Sequence, residues 1–251
     1  LRSGPTKYAA GRRFKMPRIK AAFETFVAKR RLRSPAFNRF LNANEHWLPD
    51  WCEDQPGDPD EHAFVQFMLE RQWNRLRRYA AKQGIGFIGD VPIFVHADSV
   101  DVRRRPELFR LDRNGNPTVV TGVPPDGFCK NGQLWGHPHY RWASHRKEQF
   151  AWWVDRFRLA IGRFDAIRVD HFIGFVRLYE VAANAKTARR GTWRRTPGRE
   201  LLETLRRELG PLPLIAEDLG EVTPAVRRLR DDFDLPGMRI VQWAFFEDNS
   251  P

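Results

Sequence analysis

Three carboxylates in this chain stand where a short apolar run stops: IGFIGD ends at Asp90, AIRVDH passes through Asp170, and PLIAED reaches Glu217. Burying a charge is expensive unless it is paired or used, so acids at the tips of apolar segments ask for a reason. Any one of them has an alternative use, because Asp also favours helix caps and loop starts. Their recurrence is the stronger signal. Parallel strands bring residues that are distant in sequence onto one ring at their C-terminal ends, the face where (β/α) barrels carry their chemistry. Two carboxylates on such a ring suit glycoside cleavage, in which one attacks the anomeric carbon and the other protonates the departing oxygen. Arg168 lies two residues before Asp170, on the same face of a strand, so its fixed positive charge can pair with that acid.

The elements that would position these groups alternate along the chain. Apolar positions at Phe64, Phe67, Met68, Trp73, Leu76 and Tyr79 predict a helix over residues 61–83, stopped by Gly84. The strand IGFIGDVPIFV follows. Residues 96–142 are punctuated by Gly, Pro and Asn, as in LDRNGNP and TGVPPDGF, and read as a long insertion with only short strands. A helix over 145–164 leads to the strand FDAIRVDHF, and TPGRELLETLRRELG is a helix with Gly210 as its C-cap. PLIAEDLG is the next strand. TPAVRRLRDDFDLPG starts with Thr223 as N-cap and Pro224 at the first helical position, and MRIVQWAFF reads as a final strand. This order predicts parallel strands joined by crossover helices.

Composition narrows the class further. With 251 residues, 41% of them hydrophobic and 19 Phe and nine Trp among them, the chain can build a large core. No apolar run approaches the roughly 20 residues of a membrane span, so a soluble globular protein without a membrane partner is expected. The net charge of +12 raises the question of nucleic acid. Its arginines are spread in pairs along helical segments, however, as at Arg77/Arg78 and Arg227/Arg228, which reads as solvated outer faces. No nucleic-acid partner is expected. The first residues show no export signal, and Cys52 and Cys129 have no metal-ligand spacing, which suits a reducing cytoplasm.

The longer motifs carry a resemblance. GDVPIFVHADSVDV, GVPPDGFCKNGQLWGHPHYRW, FDAIRVDHFIGF, LIAEDLGEVTPAVRRLRD and LPGMRIVQWAF, in this order, resemble the 4-α-glucanotransferases of glycoside hydrolase family 77, the amylomaltases or disproportionating enzymes. The likeness runs from about residue 60 to 251, and FNRFLNANEHWLPDWC resembles a helical segment of that family more loosely. It implies an α/β fold, a partial (β/α)8 barrel covering about strands three to six, with the insertion at 96–142 after the strand ending at Asp90. Residues 1–60 would be a helical subdomain and 61–251 the catalytic part of a longer enzyme, whose remaining strands and third carboxylate lie outside this sequence.

The resemblance also implies roles. Asp170 matches the nucleophile and Glu217 the general acid/base. Arg168, His171 and Asp90 would support or contact substrate at the strand ends, and Asp126, Phe128, Gln133 and Trp135 match a loop that lies over bound sugar. The substrates implied are α-1,4-glucans, with neither metal nor organic cofactor. An α-glucan hydrolase with the same acids, or an inactive glycan-binding fragment, would share most of these residues.

Overall fold

The computed structural model describes residues 7–127 and 129–245, without the side chains of Trp243 and Ala244. The chain divides into two compact units between Gln83 and Gly84. In the first, helices α1 (Tyr8–Ala28), α2 (Pro35–Ala43), α3 (Leu48–Asp54) and α4 (Pro59–Ala81) enclose Phe23, Phe26, Phe37, Phe40, Phe64 and Phe67. Ser34 caps α2 by accepting the Phe37 N–H, with Pro35 at the first helical position. The sequence puts the domain change at residue 60. The structure puts it after α4, because Phe64 and Phe67 of that helix pack against the rings of Phe23, Phe26 and Phe37.

The second unit carries the predicted alternation. Its elements are β1 (Ile88–Val91), α5 (Val100–Arg104), β2 (Val119–Val123), β3 (Gln133–Pro138), α6 (Trp142–Lys147), α7 (Ala151–Arg163), β4 (Ala166–Val169), β5 (Arg177–Ala182), β6 (Thr192–Arg195), α8 (Gly198–Leu209), β7 (Leu214–Ala216) and α9 (Pro224–Asp232). Strands β1, β4 and β7 form a parallel sheet in that order, with α7 and α8 in the crossovers. Period-two alternation sorts the side chains by face. Val91, Ile167, Val169, Leu214 and Ala216 are buried in one core with Trp153 and Phe157 of α7 and Leu201, Leu202 and Leu205 of α8. Residues of the other parity, Ile88, Asp90, Arg168 and Ile215, are exposed or half-buried. One face of the sheet is therefore covered by helices, and the other carries the polar groups.

Three expectations are corrected. The helix predicted over 145–164 is two helices, because Gln149 and Phe150 both take left-handed backbone angles, φ 53° and 57°. The buried Phe150 ring ties that break into the core. The short strands of the insertion do not stand alone: β5 and β6, from beyond β4, join them in a four-stranded antiparallel sheet ordered β3-β2-β5-β6. MRIVQWAFF is not a strand over its described residues, 238–245, and its last residue, Phe246, lies outside the described residues. Ala216 makes a single bridge to Gly237, the Asp218 carboxylate then captures the Met238 N–H, and residues Val241–Phe245 form a 3-10 turn. With its amide turned to a side chain, the segment cannot continue the ladder. No helix among the described residues is long and apolar enough to cross a membrane.

Close backbone approach fixes the turn that follows β4. A Cβ built on Gly198, the first residue of α8, would lie 1.9 Å from the carbonyl oxygen of Phe175. The Phe175 ring is itself buried, so neither side can yield cheaply. Gly198→Ala is expected to destabilise the protein by about 1–3 kcal/mol, as overpacking does, and to lower the midpoint of urea unfolding followed by tryptophan fluorescence.

Candidate active site

The strand register assembles the site. Asp90 in β1 lies level with Arg168 in β4, and the guanidinium reaches both acids: Nη1 donates to Asp90 Oδ1 at 2.7 Å and Nη2 to Asp170 Oδ1 at 2.8 Å. The ladder runs one step beyond the strands. The Asp170 N–H donates to the Val91 carbonyl at 3.1 Å and the Glu217 N–H to the Val169 carbonyl at 3.1 Å. Both acids thus leave adjacent strand ends on fixed backbone.

His171 turns the chain at this point. Its φ of 48° lies in the left-handed region, uncommon for a residue with a Cβ. The conformation is held by the buried turn Phe172–Phe175, whose Gly174 N–H donates to the His171 carbonyl at 2.8 Å. The His171 N–H then donates to Glu217 Oε2 at 2.8 Å. Burial pushes the Glu217 carboxyl above the usual range, as does the charge of Asp170, against the lowering by the His171 and Leu219 amides and by Arg168. The two carboxylates therefore differ in environment: Asp170 holds an arginine, and Glu217 is desolvated and pinned by an amide. Burial also pulls the His171 imidazole down to about 4, opposed by Asp170, so the ring is neutral near pH 7. Its Nε2 is buried without a hydrogen-bond partner in the structure.

A cleft of about 500 Å³ opens over these groups, lined by Asp170, His171, Glu217 and Arg168 and, from the antiparallel sheet and its loops, by Asp126, Gln133 and Trp135. The Trp135 ring meets His171 edge to face, with centroids 5.0 Å apart, and its Nε1 donates to Gln133 Oε1 at 3.2 Å. Asp126 is exposed and its Oδ1 accepts the Cys129 N–H at 2.7 Å, which closes the turn between β2 and β3. Asp90 is not among the residues that line the cleft and is joined to them by its bond from Arg168. Phe128 lies outside the described residues.

Sequence reasoning missed Trp193 and Glu221, which line the same cleft, and Arg177, which touches both. The only sequence signal was a tryptophan in the short polar run GTWRR. Among the described residues, no group of three or more His, Cys, Asp or Glu is arranged to hold a metal ion.

Parallel strands with crossover helices, and two carboxylates in contrasting environments in one cleft with a tryptophan, define an α/β protein with paired acids at neighbouring strand ends. The model of the 4-alpha-glucanotransferase family, glycoside hydrolase family 77, matches residues 51–251, and the chain belongs to that family. Over 189 residues it is 46% identical to a 4-alpha-glucanotransferase of Aquifex aeolicus, covering 75% of this chain and 39% of that protein. Over 184 residues it is 47% identical to one of Thermus thermophilus, covering 73% and 37%. The amylomaltase from Streptococcus agalactiae, solved in complex with acarbose, superposes with a TM-score of 0.87 at 33% identity, over 96% of this chain and 55% of that one. The chain thus spans less than two fifths of the length of those two curated relatives.

Because Arg168 is one of the groups that lower the Glu217 carboxyl, Arg168→Met should move its titration midpoint further up. Carbon-13 NMR of the labelled carboxyl reads this directly. A downward move would mean that the lost ion pairs let water reach Glu217, and that burial, not Arg168, had governed it.

Proposed function

We propose that this chain supplies the nucleophile and the acid/base of a 4-alpha-glucanotransferase, which moves segments of α-1,4-glucan between chains with retention at the anomeric carbon. The observation that carries the reading is the contrast between neighbouring acids: Asp170 accepts from a guanidinium, while Glu217 is held by the His171 amide and raised by burial. Asp170 attacks C1 of the donor, the C1–O4 bond breaks, and Glu217 gives its proton to the departing O4. A raised carboxyl keeps that proton to higher pH, as a general acid requires. In the second half the acceptor 4-OH attacks C1, Glu217 takes its proton, and the bond to Asp170 breaks. The starting forms of both acids are restored.

Trp135, Gln133 and Asp126 form the roof in this reading, a stacking surface with hydrogen-bonding groups beside it. By covering the ester it favours a sugar hydroxyl over water. The neutral His171 would serve as a hydrogen-bond partner for sugar hydroxyls, which suits a ring with a buried, unpartnered nitrogen. The acarbose complex of the Streptococcus agalactiae relative supports a saccharide ligand for this cleft.

The parallel sheet is, in the same reading, an arc of a (β/α)8 barrel, with the antiparallel sheet as its insertion. Support comes from the β/α order, from helices on one face only, and from polar groups on the other face and at the C-terminal strand ends. Two free cysteines suit a cytoplasmic location.

Maltotriose tests the reading. Transfer yields a ladder of longer oligomers while the number of reducing ends stays constant, whereas hydrolysis raises that number. The full chain should give the ladder, and Asp170→Ala should abolish all products. Trp135→Ala should raise the fraction of turnovers that create a new reducing end, on the order of tenfold, which corresponds to about 1.4 kcal/mol of lost acceptor preference. Rising reducing ends in the unsubstituted protein would make it a hydrolase.

A further inference from the structure

The cleft continues past the two carboxylates to an end built on β6. There Trp193, and Glu221 from the loop after β7, line the same space as Asp170 and Glu217. Strands β3 and β6 are the outer strands of the antiparallel sheet, so Trp135 and Trp193 stand on opposite margins of the cleft's roof. The Trp193 indole is held firmly. The Arg177 guanidinium carbon lies 4.1 Å above its ring centroid, and the Tyr179 ring is tilted against it at 5.2 Å. Arg177 Nη2 is in turn 2.9 Å from Glu221 Oε1, within ion-pair range but without hydrogen-bond geometry.

Packing alone leaves two features of this cluster unexplained. Trp193 is only half-buried, though its supports are set as for a core residue. The Glu221 side chain is 68% exposed beside it. Both are accounted for by a ligand with an apolar ring face and several hydroxyls. The ring face presents C–H groups to the indole and the carboxylate accepts from hydroxyls, while Arg177, outside the cleft lining, holds both side chains in place.

We propose that Trp193 and Glu221, held by Arg177, form a sugar-binding subsite at the β6 end of the cleft, which takes a glucose unit of an α-1,4-glucan away from the bond being cleaved. This rests on the glucan reading of the site. The subsite acts by binding only, and its occupation favours long chains because a short oligosaccharide seated on the carboxylates does not reach it.

Isothermal titration of maltoheptaose into the full chain carrying Asp170→Asn, which prevents turnover, tests the proposal. Adding Trp193→Ala should weaken binding about tenfold, and Trp193→Phe, which keeps an aromatic face, no more than about threefold. Glu221→Ala should weaken it about threefold, and it decides the matter if Trp193→Ala does not fold, since an exposed side chain can be removed without disturbing packing. Weakening in a folded Trp193→Ala or Glu221→Ala variant supports the subsite. Affinity equal to the parent in every folded variant overturns it, as does a parent without affinity for maltoheptaose. Failure of the transferase reading would look different: the unsubstituted protein would make no oligomer ladder while calorimetry still reported Trp193-dependent binding.

Discussion

Arg168 sets one positive charge between carboxylates from two positions on neighbouring parallel strands, and the rest of the site takes its geometry from that contact. The bridge exists only in one register. A slip of β1 against β4 by a single residue would send Asp90 to the helix-covered face and bring Gly89 in its place. The core forbids the slip, since Val91 would leave it as Asp90 entered. The core thus specifies the register, and the register delivers a planar guanidinium with two donors to two acids. A lysine there would carry the charge without the fork.

The acid pair is differentiated by backbone as much as by side chains. Glu217 follows β7 directly and Asp170 follows β4 directly, so their surroundings would be similar without the turn at His171. The left-handed residue aims one peptide N–H at Glu217 and leaves the arginine to Asp170. That conformation is unfavourable for a residue with a Cβ by about 1–2 kcal/mol, and the buried rings of Phe172 and Phe175 hold it in place. One strained residue therefore links the aromatic core to the protonation of a carboxyl.

Much of this was legible because it is local. Apolar strands ending in acids, Pro after Thr at the start of α9, and the helical periods gave the parallel sheet and the residues that converge on the cleft. The misses share a physical cause. β5 is stabilised by pairing with β2, which precedes it by more than 50 residues, and β6 by pairing with β5; nothing in RLYEVA or TWRR announces those partners. Gln149 and Phe150 interrupt a run of good helix formers only because Phe150 is drawn into the core. MRIVQWAFF has the composition of a strand, but the buried Asp218, paired with Arg230, takes the amide that a strand would need. Arg177 and Trp193 were invisible for the same reason as β5 and β6, being meaningful only as a pair across neighbouring strands.

The strand order β1-β4-β7 also has a kinetic meaning. Asp90, Arg168 and Glu217 come from the ends of strands separated by a long insertion and a full β/α unit, so no local segment contains the whole centre. Loop-closure entropy must be overcome before any of these contacts forms, and parallel pairing of distant strands is intrinsically slow. During refolding the helices and the β2–β3 hairpin can appear early, while the carboxylate pair comes into being only as β7 docks on β4. A refolding chain would regain its helical circular dichroism well before its catalytic constellation.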